Sequence, residues 1–600
     1  MVAHLLVRLL VLAVIAPISS LLLSIAIAAR GQSAFTDQDI AYFLFTPAGM
    51  CAGLAVACLL IVGAILDVSI MTCVLRARRR NIAGVIGHGV RPILSRLPAL
   101  ALFSLRLVAK VLLIAAPFLL AVGAVALIML RQYDINYYLT HWPPEFVFAV
   151  AVISALILAL IFLLLARLSG WAISLHLLLF SRFAPAAAFK DSAQRLSGQR
   201  KRLIVTLVIW ALSRAALGLI VTAIAGMLLN VVPLLFGASL GAAATAAITI
   251  LVLLTFANAF VAAVSNGALT DLLNRLYTGA TQDLPRPAEM STEPDDKADR
   301  TRIPAVALIG AATAAVAIGL FAGGMLLENI TTKRSVEIIA HRGASASRPE
   351  NTLAAVDKAV EDQADWVEID VQETADGEVV VAHDSDLMKL GGDALKVWDA
   401  TMEKLAQIDI GSWFDPAYSG ERTPTLRQAL ELVKGRSKLL IELKYYGHDV
   451  ELESRVVRIV EETGMARDIA VMSLKYDGIR KMQSLRPSWR YGVLAAKAIG
   501  DLAALKADFL AVNTGQASLA LIRRAHARGK QIYVWTVDEP LTMSRMISMG
   551  VDGLITNKPA LARRVMDARN DLTTYERLAL WITDRFRIGT FELVAEESDA

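Results

Sequence analysis

The sequence predicts two structural classes in series. A multi-span α-helical membrane domain is followed by a somewhat irregular α/β domain of the (β/α)8, TIM-type barrel kind. Three observations carry this reading. Seven apolar runs, at 5–29, 47–75, 111–130, 146–166, 203–229, 240–265 and 303–327, approach or exceed the ~20 residues that a spanning helix needs. Beyond Lys333 the chain takes on the mixed charge of a water-soluble domain. There, short β-rich runs alternate with amphipathic helical patterns, as in a parallel sheet with helical crossovers.

Composition agrees with the first half of this division. Of 600 residues, 56% are hydrophobic and only 19% charged, which is unusual for a wholly soluble protein. The net charge of +5 comes from Arg clusters beside the apolar runs, so no nucleic-acid partner is indicated. Cys51, Cys58 and Cys73 share one apolar run, which excludes a disulfide framework or a Cys-based zinc site in the soluble half.

The basic clusters also set an orientation. Arg76–Arg96 and Arg182–Arg202 are expected in the cytoplasm, and the basic-poor segments Gly31–Phe45 and Gln132–Glu145 outside it. Alternation then places everything after Leu327 on the extracytoplasmic side of an integral, multi-pass protein. Ala26-Ile27-Ala28 resembles a signal-peptide cleavage site, but the run is long for one and reads as a retained helix. Asp67 and Arg214 interrupt their runs at similar depths, where each either pairs with the other or faces a wet cavity. The Pro- and acid-rich stretch Asp283–Arg300 reads as a disordered loop.

In the soluble half the expected strands are Glu337–Ala340, Trp366–Gln372, Val379–His383, Lys438–Lys444, Ile469–Ser473, Tyr491–Leu494, Phe509–Val512, Ile532–Val537 and Gly553–Thr556. Helical patterns at Leu353–Glu361, Leu426–Val433, Leu452–Thr463 and Leu519–Ala527 separate them. One connection is too short for a crossover helix. Between Gln372 and Val379 the Asp376-Gly377 pair signals a hairpin, and a turn centred on Ala375–Asp376 would set Glu368 opposite His383 and Asp370 opposite Val381. The expected divisions are a membrane domain at 1–330, a barrel at 336–570, and a C-terminal helix with an acidic tail at 571–600. That last helix carries Leu578, Trp581, Ile582 and Phe586 on one face.

The strand ends hold the chemistry. His341-Arg342-Gly343 follows the first strand, Glu368-Ile369-Asp370 lies in the second, His383-Asp384 ends the third, and Glu442-Leu443-Lys444 ends the fourth. Residues at the carboxyl ends of barrel strands face one site. Glu368 and Asp370 stand two apart on a strand, so they share a face and can share a cation; all-oxygen ligation favours Mg2+ or Ca2+ over zinc. Two histidines beside a metal and a basic pair suit phosphoryl transfer. One would take a proton from the attacking hydroxyl and the other would protonate the leaving alkoxide, while Arg342 and Lys444 offset charge on the phosphate.

With Pro349-Glu350-Asn351-Thr352, Asp376-Gly377, Pro424-Thr425-Leu426, Trp535-Thr536-Val537 and Asp552-Gly553, this order of motifs resembles the glycerophosphodiester phosphodiesterase family over roughly 337–565. The membrane half is similar in layout to that of bacterial members with an appended membrane domain. The resemblance implies metal ligation by Glu368, Asp370 and Glu442, with Glu350 near the same cluster. It implies His341 and His383 as the acid–base pair, Arg342 and Lys444 on the phosphate, and Trp535 against the glycerol. It implies hydrolysis of a glycerophosphodiester to an alcohol and glycerol 3-phosphate, begun either by water or by the substrate's own hydroxyl. The chain departs from the family at Leu387-Met388-Lys389-Leu390 and at Ser473-Leu474, which puts substrate breadth in doubt rather than the reaction.

Three readings of function follow: a phosphodiesterase for small soluble diesters, the same chemistry on a lipid or lysolipid headgroup (lysophospholipase D-like), and a non-catalytic sensor or transporter whose barrel only binds. The intact histidines and carboxylates argue against the third. The linker Glu328–Val336 spans at most ~30 Å, which keeps the barrel beside the membrane lipid. Every candidate catalytic group lies after Val336, so the helices are expected to supply location rather than chemistry.

Overall fold

A computed structural model of the chain describes residues 11–76, 93, 95–236, 240–284 and 335–571. The seventh apolar run, nearly all of Asp283–Arg300 and the helical pattern at 572–586 lie outside the described residues. Five of the predicted runs form the helices Pro47–Arg76, Leu97–Met129, Pro144–Gly170, Arg200–Phe236 and Leu240–Ala280, preceded by the shorter Ala16–Ala28. Among the described residues, five helical stretches are long and apolar enough to cross a membrane. Leu113, Ile128, Phe162 and Leu219 point outward on them, exposed by 78%, 82%, 74% and 72%, where a water-soluble bundle would be polar.

The second long helix starts at Leu97, well before its apolar run. Its first turns are amphipathic and find a partner. Leu100, Phe103 and Val108 are buried, and the Phe103 ring stacks on Phe189 of the helix Pro185–Arg195 at 4.6 Å. Arg214 donates to Asn266 Oδ1 at 3.2 Å and lies over the Trp210 ring.

The barrel is closed by eight parallel strands: β1 Glu337–Ala340, β2 Trp366–Glu373, β3 Lys438–Leu443, β4 Ile469–Ser473, β5 Arg490–Ala495, β6 Phe509–Asn513, β7 Gln531–Trp535 and β8 Gly553–Thr556. Each pairs with its sequence neighbours, and β1 pairs with both β2 and β8. Ile339, Leu440, Met472, Leu494, Phe509 and Tyr533 fill the interior, while outward residues pack beneath the helices. Helix starts follow their cap chemistry. Thr352 accepts from the Ala355 amide, and Thr425 with Gln428 forms a capping box.

The ninth strand, Val379–Val381, lies antiparallel on the end of β2, as the Asp-Gly signal implied. Its register differs by one residue from that expectation. Val371 faces Val381, so Asp370 meets Ala382, whose amide donates to the Asp370 carbonyl at 3.0 Å. The turn accounts for the shift. The Thr374 amide bonds the Glu378 carbonyl, leaving Ala375, Asp376 and Gly377 as a three-residue loop with Gly377 at φ +83°.

The two halves touch through the segments expected to face outward. Ala34–Thr36 adds an antiparallel strand to Ala498–Gly500, and the Asp37 carboxylate accepts the Ala496 and Lys497 amides at 3.0 and 2.9 Å. Thr36 Oγ1 donates to the Leu474 carbonyl at 3.0 Å. The Asp134–His141 stretch bonds residues 384–389. The basic segments bond within the helical half instead. Arg96 bonds the Leu178 carbonyl, and Arg195 bonds Asp283 and the Ala280 carbonyl.

Gly492 on β5 has no room for a side chain, because a Cβ there would run into the Phe509 ring. Gly492→Ala is expected to lower barrel stability by about 1–3 kcal/mol, read as a fall in thermal unfolding temperature in detergent. An unchanged temperature contradicts this packing.

Candidate active site

Two strands build the centre of the site. Glu368 and Asp370 share a face of β2, and the parallel register sets Glu442 of β3 directly beside Asp370. One oxygen from each of the three carboxylates lies within 4.8 Å of the others. All three side chains are buried. Burial, then the charges of Asp370 and Glu442, push the Glu368 carboxyl well up. Burial also raises Glu442, against the pull of Lys444. Asp370 goes the other way. Burial would raise it, but His383, Lys444 and Arg342 hold it below the usual carboxylate range.

The counter-charges arrive from sharp local turns. After β1 the backbone reverses with Arg342 at φ +56° and Gly343 at φ +79°. A Cβ on Gly343 would strike the Ala355 backbone, so the turn requires glycine. It brings the Arg342 amide to Glu368 Oε2 at 2.8 Å and the guanidinium to Asp370 at 3.3 Å. Lys444, two residues after Glu442, reaches Glu442 Oε1 at 3.0 Å and Asp370 Oδ1 at 3.5 Å. Asn351 donates to Asp370 Oδ2 at 2.9 Å.

Among the described residues, Glu368 Oε1 is buried without a hydrogen-bond partner. An orphaned carboxylate oxygen among hard oxygen donors fits a divalent cation. Glu350 stands one ion pair away. It bonds Arg342 at 2.8 Å and Lys389 at 2.7 Å, and these cations hold it at about 2 although burial would raise it.

The histidines come from the ends of different strands. His341 Nδ1 meets Asn557 Oδ1 at 2.7 Å, and the Asn557 amide nitrogen is committed to Asp538 at 2.6 Å. Nδ1 therefore carries the proton and Nε2 is bare. Burial, then Arg342, push His341 down to about 4. His383 Nδ1 meets Asp384 Oδ1 at 2.6 Å, and Tyr446 donates to the His383 carbonyl at 2.7 Å. Both histidines, Arg342, Lys444, Glu368 and Glu442 line one cavity of about 80 Å3, with Trp535 on its wall. The Trp535 indole donates to the Ala511 carbonyl at 3.1 Å. An adjoining cavity of about 100 Å3 shares Glu442, Lys444 and Leu474 and adds Thr36 and Asp39 from the N-terminal half.

The sequence reading missed several neighbours. Asn557 follows β8 as His341 follows β1, and a polar residue at a strand end was a signal available for it. Asn351 and Asp384 stood in quoted motifs without a role. Asp134 and Asn136 gave no signal, because nothing in the barrel's pattern points some 250 residues back along the chain.

Residues 341–561 match the glycerophosphoryl diester phosphodiesterase family. The chain is 34% identical to YhdW of Bacillus subtilis over 229 residues, which is 37% of this chain and 94% of that protein. It is 32% identical over 232 residues to a glycerophosphodiester phosphodiesterase of Caldanaerobacter subterraneus subsp. tengcongensis, again 37% of this chain and 94% of the relative. A phosphodiesterase of Oleispira antarctica, solved with its product sn-glycerol-3-phosphate, is similar at 26% identity and a TM-score of 0.37, over 38% of this chain and 96% of that one.

Because the folded Glu368 carboxyl lies above its unfolded value, its stabilising contribution is present at low pH and is lost as pH rises toward the folded value. In EDTA, Glu368→Gln should therefore gain stability relative to the parent as pH rises above the ordinary carboxylate range. Thermal-unfolding series in which E368Q and the parent run parallel contradict the electrostatic reading.

Proposed function

The chain belongs to the glycerophosphoryl diester phosphodiesterase family, and from that premise we propose that its barrel hydrolyses glycerophosphodiesters to an alcohol and glycerol 3-phosphate at a membrane surface. One observation carries the proposal: three buried carboxylates, two histidines, an arginine and a lysine converge at the carboxyl ends of the strands. Glu368, Asp370 and Glu442 would hold Mg2+ or Ca2+, which when bound offsets charge on a phosphoryl oxygen.

The two histidines take different roles. His341, neutral at pH 7 with Nε2 bare, takes the proton of the attacking hydroxyl, whether of water or of the substrate's glycerol. His383, which forms an ion pair with Asp384 when protonated, delivers a proton to the departing alkoxide. Arg342 and Lys444 face the phosphate, and Trp535 packs on the glycerol. In this reading residues 1–330 form the membrane part, 336–570 the catalytic barrel and 571–600 a tail, with the barrel extracytoplasmic. Its support is that the two basic-poor segments between apolar helices are the ones bonded to the barrel.

A lipid or lysolipid substrate is the second reading, favoured by the adjoining cavity that Thr36 and Asp39 wall from the helical side. Product analysis separates the two. Purified protein with Mg2+ or Ca2+ is offered glycerophosphocholine, glycerophosphoglycerol and lysophospholipids in turn. Glycerol 3-phosphate from the soluble diesters, abolished by EDTA, is the expected result; turnover of lysophospholipids alone selects the lipid reading, and turnover of none rejects the proposal.

His341→Ala and His383→Ala should each lower turnover by roughly 10²–10⁴ with the fold intact. Since His341 acts unprotonated, the acid side of the kcat/KM profile should fall at about 4 rather than at the ordinary histidine value. Near-normal turnover in either variant removes that histidine from the mechanism, and an acid limb near 6.5 removes His341 as the base.

A further inference from the structure

We infer that Asn136 and Asp134, on the segment joining two apolar helices, are positioning residues for His383. The inference rests on the proposed role of His383 in proton transfer.

Among the described residues the Asp384 carboxylate bonds two groups, His383 Nδ1 at 2.6 Å and Asn136 Nδ2 at 2.8 Å, both at Oδ1. Its Oδ2 is buried with no hydrogen-bond partner. Without Asn136, the histidine it orients would be the only hydrogen-bond donor left on this carboxylate among the described residues.

Asn136 is itself held in place. Asp134 caps the helix Ile135–His141 and accepts from both the Asn136 amide and Asn136 Nδ2 at 3.0 Å. Asp134 is then locked to the barrel reciprocally. Its Oδ2 accepts the Ser385 amide at 3.0 Å, while its own amide donates to Asp386 Oδ2 at 2.8 Å. Asp134 and Asp386 are buried, and Lys396 neutralises Asp386 at 2.6 Å. Burial would raise the Asp134 carboxyl, but the Ser385 and Asn136 amides hold it below the usual range, so it stays an acceptor at neutral pH. A fourth bond, His141 to the Lys389 carbonyl at 3.1 Å, closes the far end of the contact.

The alignment of His383 is therefore set by the N-terminal half as well as by the barrel. A neutral amide suits the role. It donates to Asp384 and Asp134 at once, which a carboxylate cannot do.

The test uses the full-length protein in detergent, saturated with Mg2+ or Ca2+, on a soluble glycerophosphodiester. Asn136→Ala should lower kcat about 10- to 100-fold with KM changed less than about twofold, the size expected for a misplaced catalytic group. Asn136→Asp is isosteric and sits in the first turn of a helix, where an acid is normally welcome. A merely structural role predicts near-parental turnover for it; positioning predicts a loss at least as large as for Ala, because the new carboxylate cannot donate and repels Asp384. If N136A fails to fold, the Asp variant decides. In an Asp384→Ala background, Asn136→Ala should cost less than about twofold more. Parental kcat in N136D, a loss confined to KM, or additive losses in the double variant overturn the inference. Near-parental turnover in His383→Ala overturns the underlying functional reading instead.

Discussion

Glu368, Asp370 and Glu442 are each almost wholly buried, with oxygens within 4.8 Å of one another. Two unit charges 4 Å apart repel by about 4 kcal/mol at an effective dielectric of 20, so three cannot share this volume without counter-charge. The surrounding structure answers that demand. Lys444 follows Glu442 at the spacing that keeps both on one face of β3. The glycine-dependent turn after β1 folds Arg342 back over the triad. Asn351 adds a neutral donor to Asp370. Glu368 is the carboxylate left least compensated, and it also keeps an unpartnered oxygen. The place with the greatest excess of negative potential is thus the place best suited to a divalent cation.

The same crowding separates the histidines. His341 sits beside Arg342 and is deeply buried, and both conditions disfavour a second positive charge. Its hydrogen bond to Asn557 fixes the tautomer without adding a negative charge. His383 instead has a carboxylate at Nδ1. Two residues of one type therefore enter the same cavity beside different groups, as the proposed division into base and acid requires.

How much of this was legible in the sequence depended on distance along the chain. β1, β4 and β8 lie where their apolar runs placed them, since a strand buried on both faces reads as a short hydrophobic block. The carboxylate triad was legible because strand spacing is local and the register of β2 with β3 follows from barrel closure. The hairpin register was off by one because a turn centred on Ala375–Asp376 leaves Gly377 in the strand, whereas the Thr374–Glu378 backbone bond takes Gly377 into the loop. The early start at Leu97 was hidden because Arg106 and Lys110 break the apolar run, while Leu100 and Phe103 answer to a tertiary partner. Asn136 was beyond reach for the same reason in stronger form. Its partner, Asp384, lies 248 residues away.

That long-range contact bears on how the two halves divide their work. The barrel residues hydrogen-bonded by the described N-terminal half at 384–389, Leu474 and 496–501 follow strand ends on the face that carries the site. A tether joined to the opposite, amino-terminal face would leave the mouth open and the chemistry independent of the anchor. Attachment at the mouth instead makes Thr36 and Asp39 part of the wall of the adjoining cavity and brings Asn136 onto Asp384. Two anchors on separate loops also resist rotation in a way that one would not, so the orientation of the site relative to the helices is fixed rather than averaged. The expectation that the helices supply location alone treats the boundary near Val336 as a functional one. The hydrogen bonds draw that boundary through the active-site mouth, with each half contributing to the surroundings of His383.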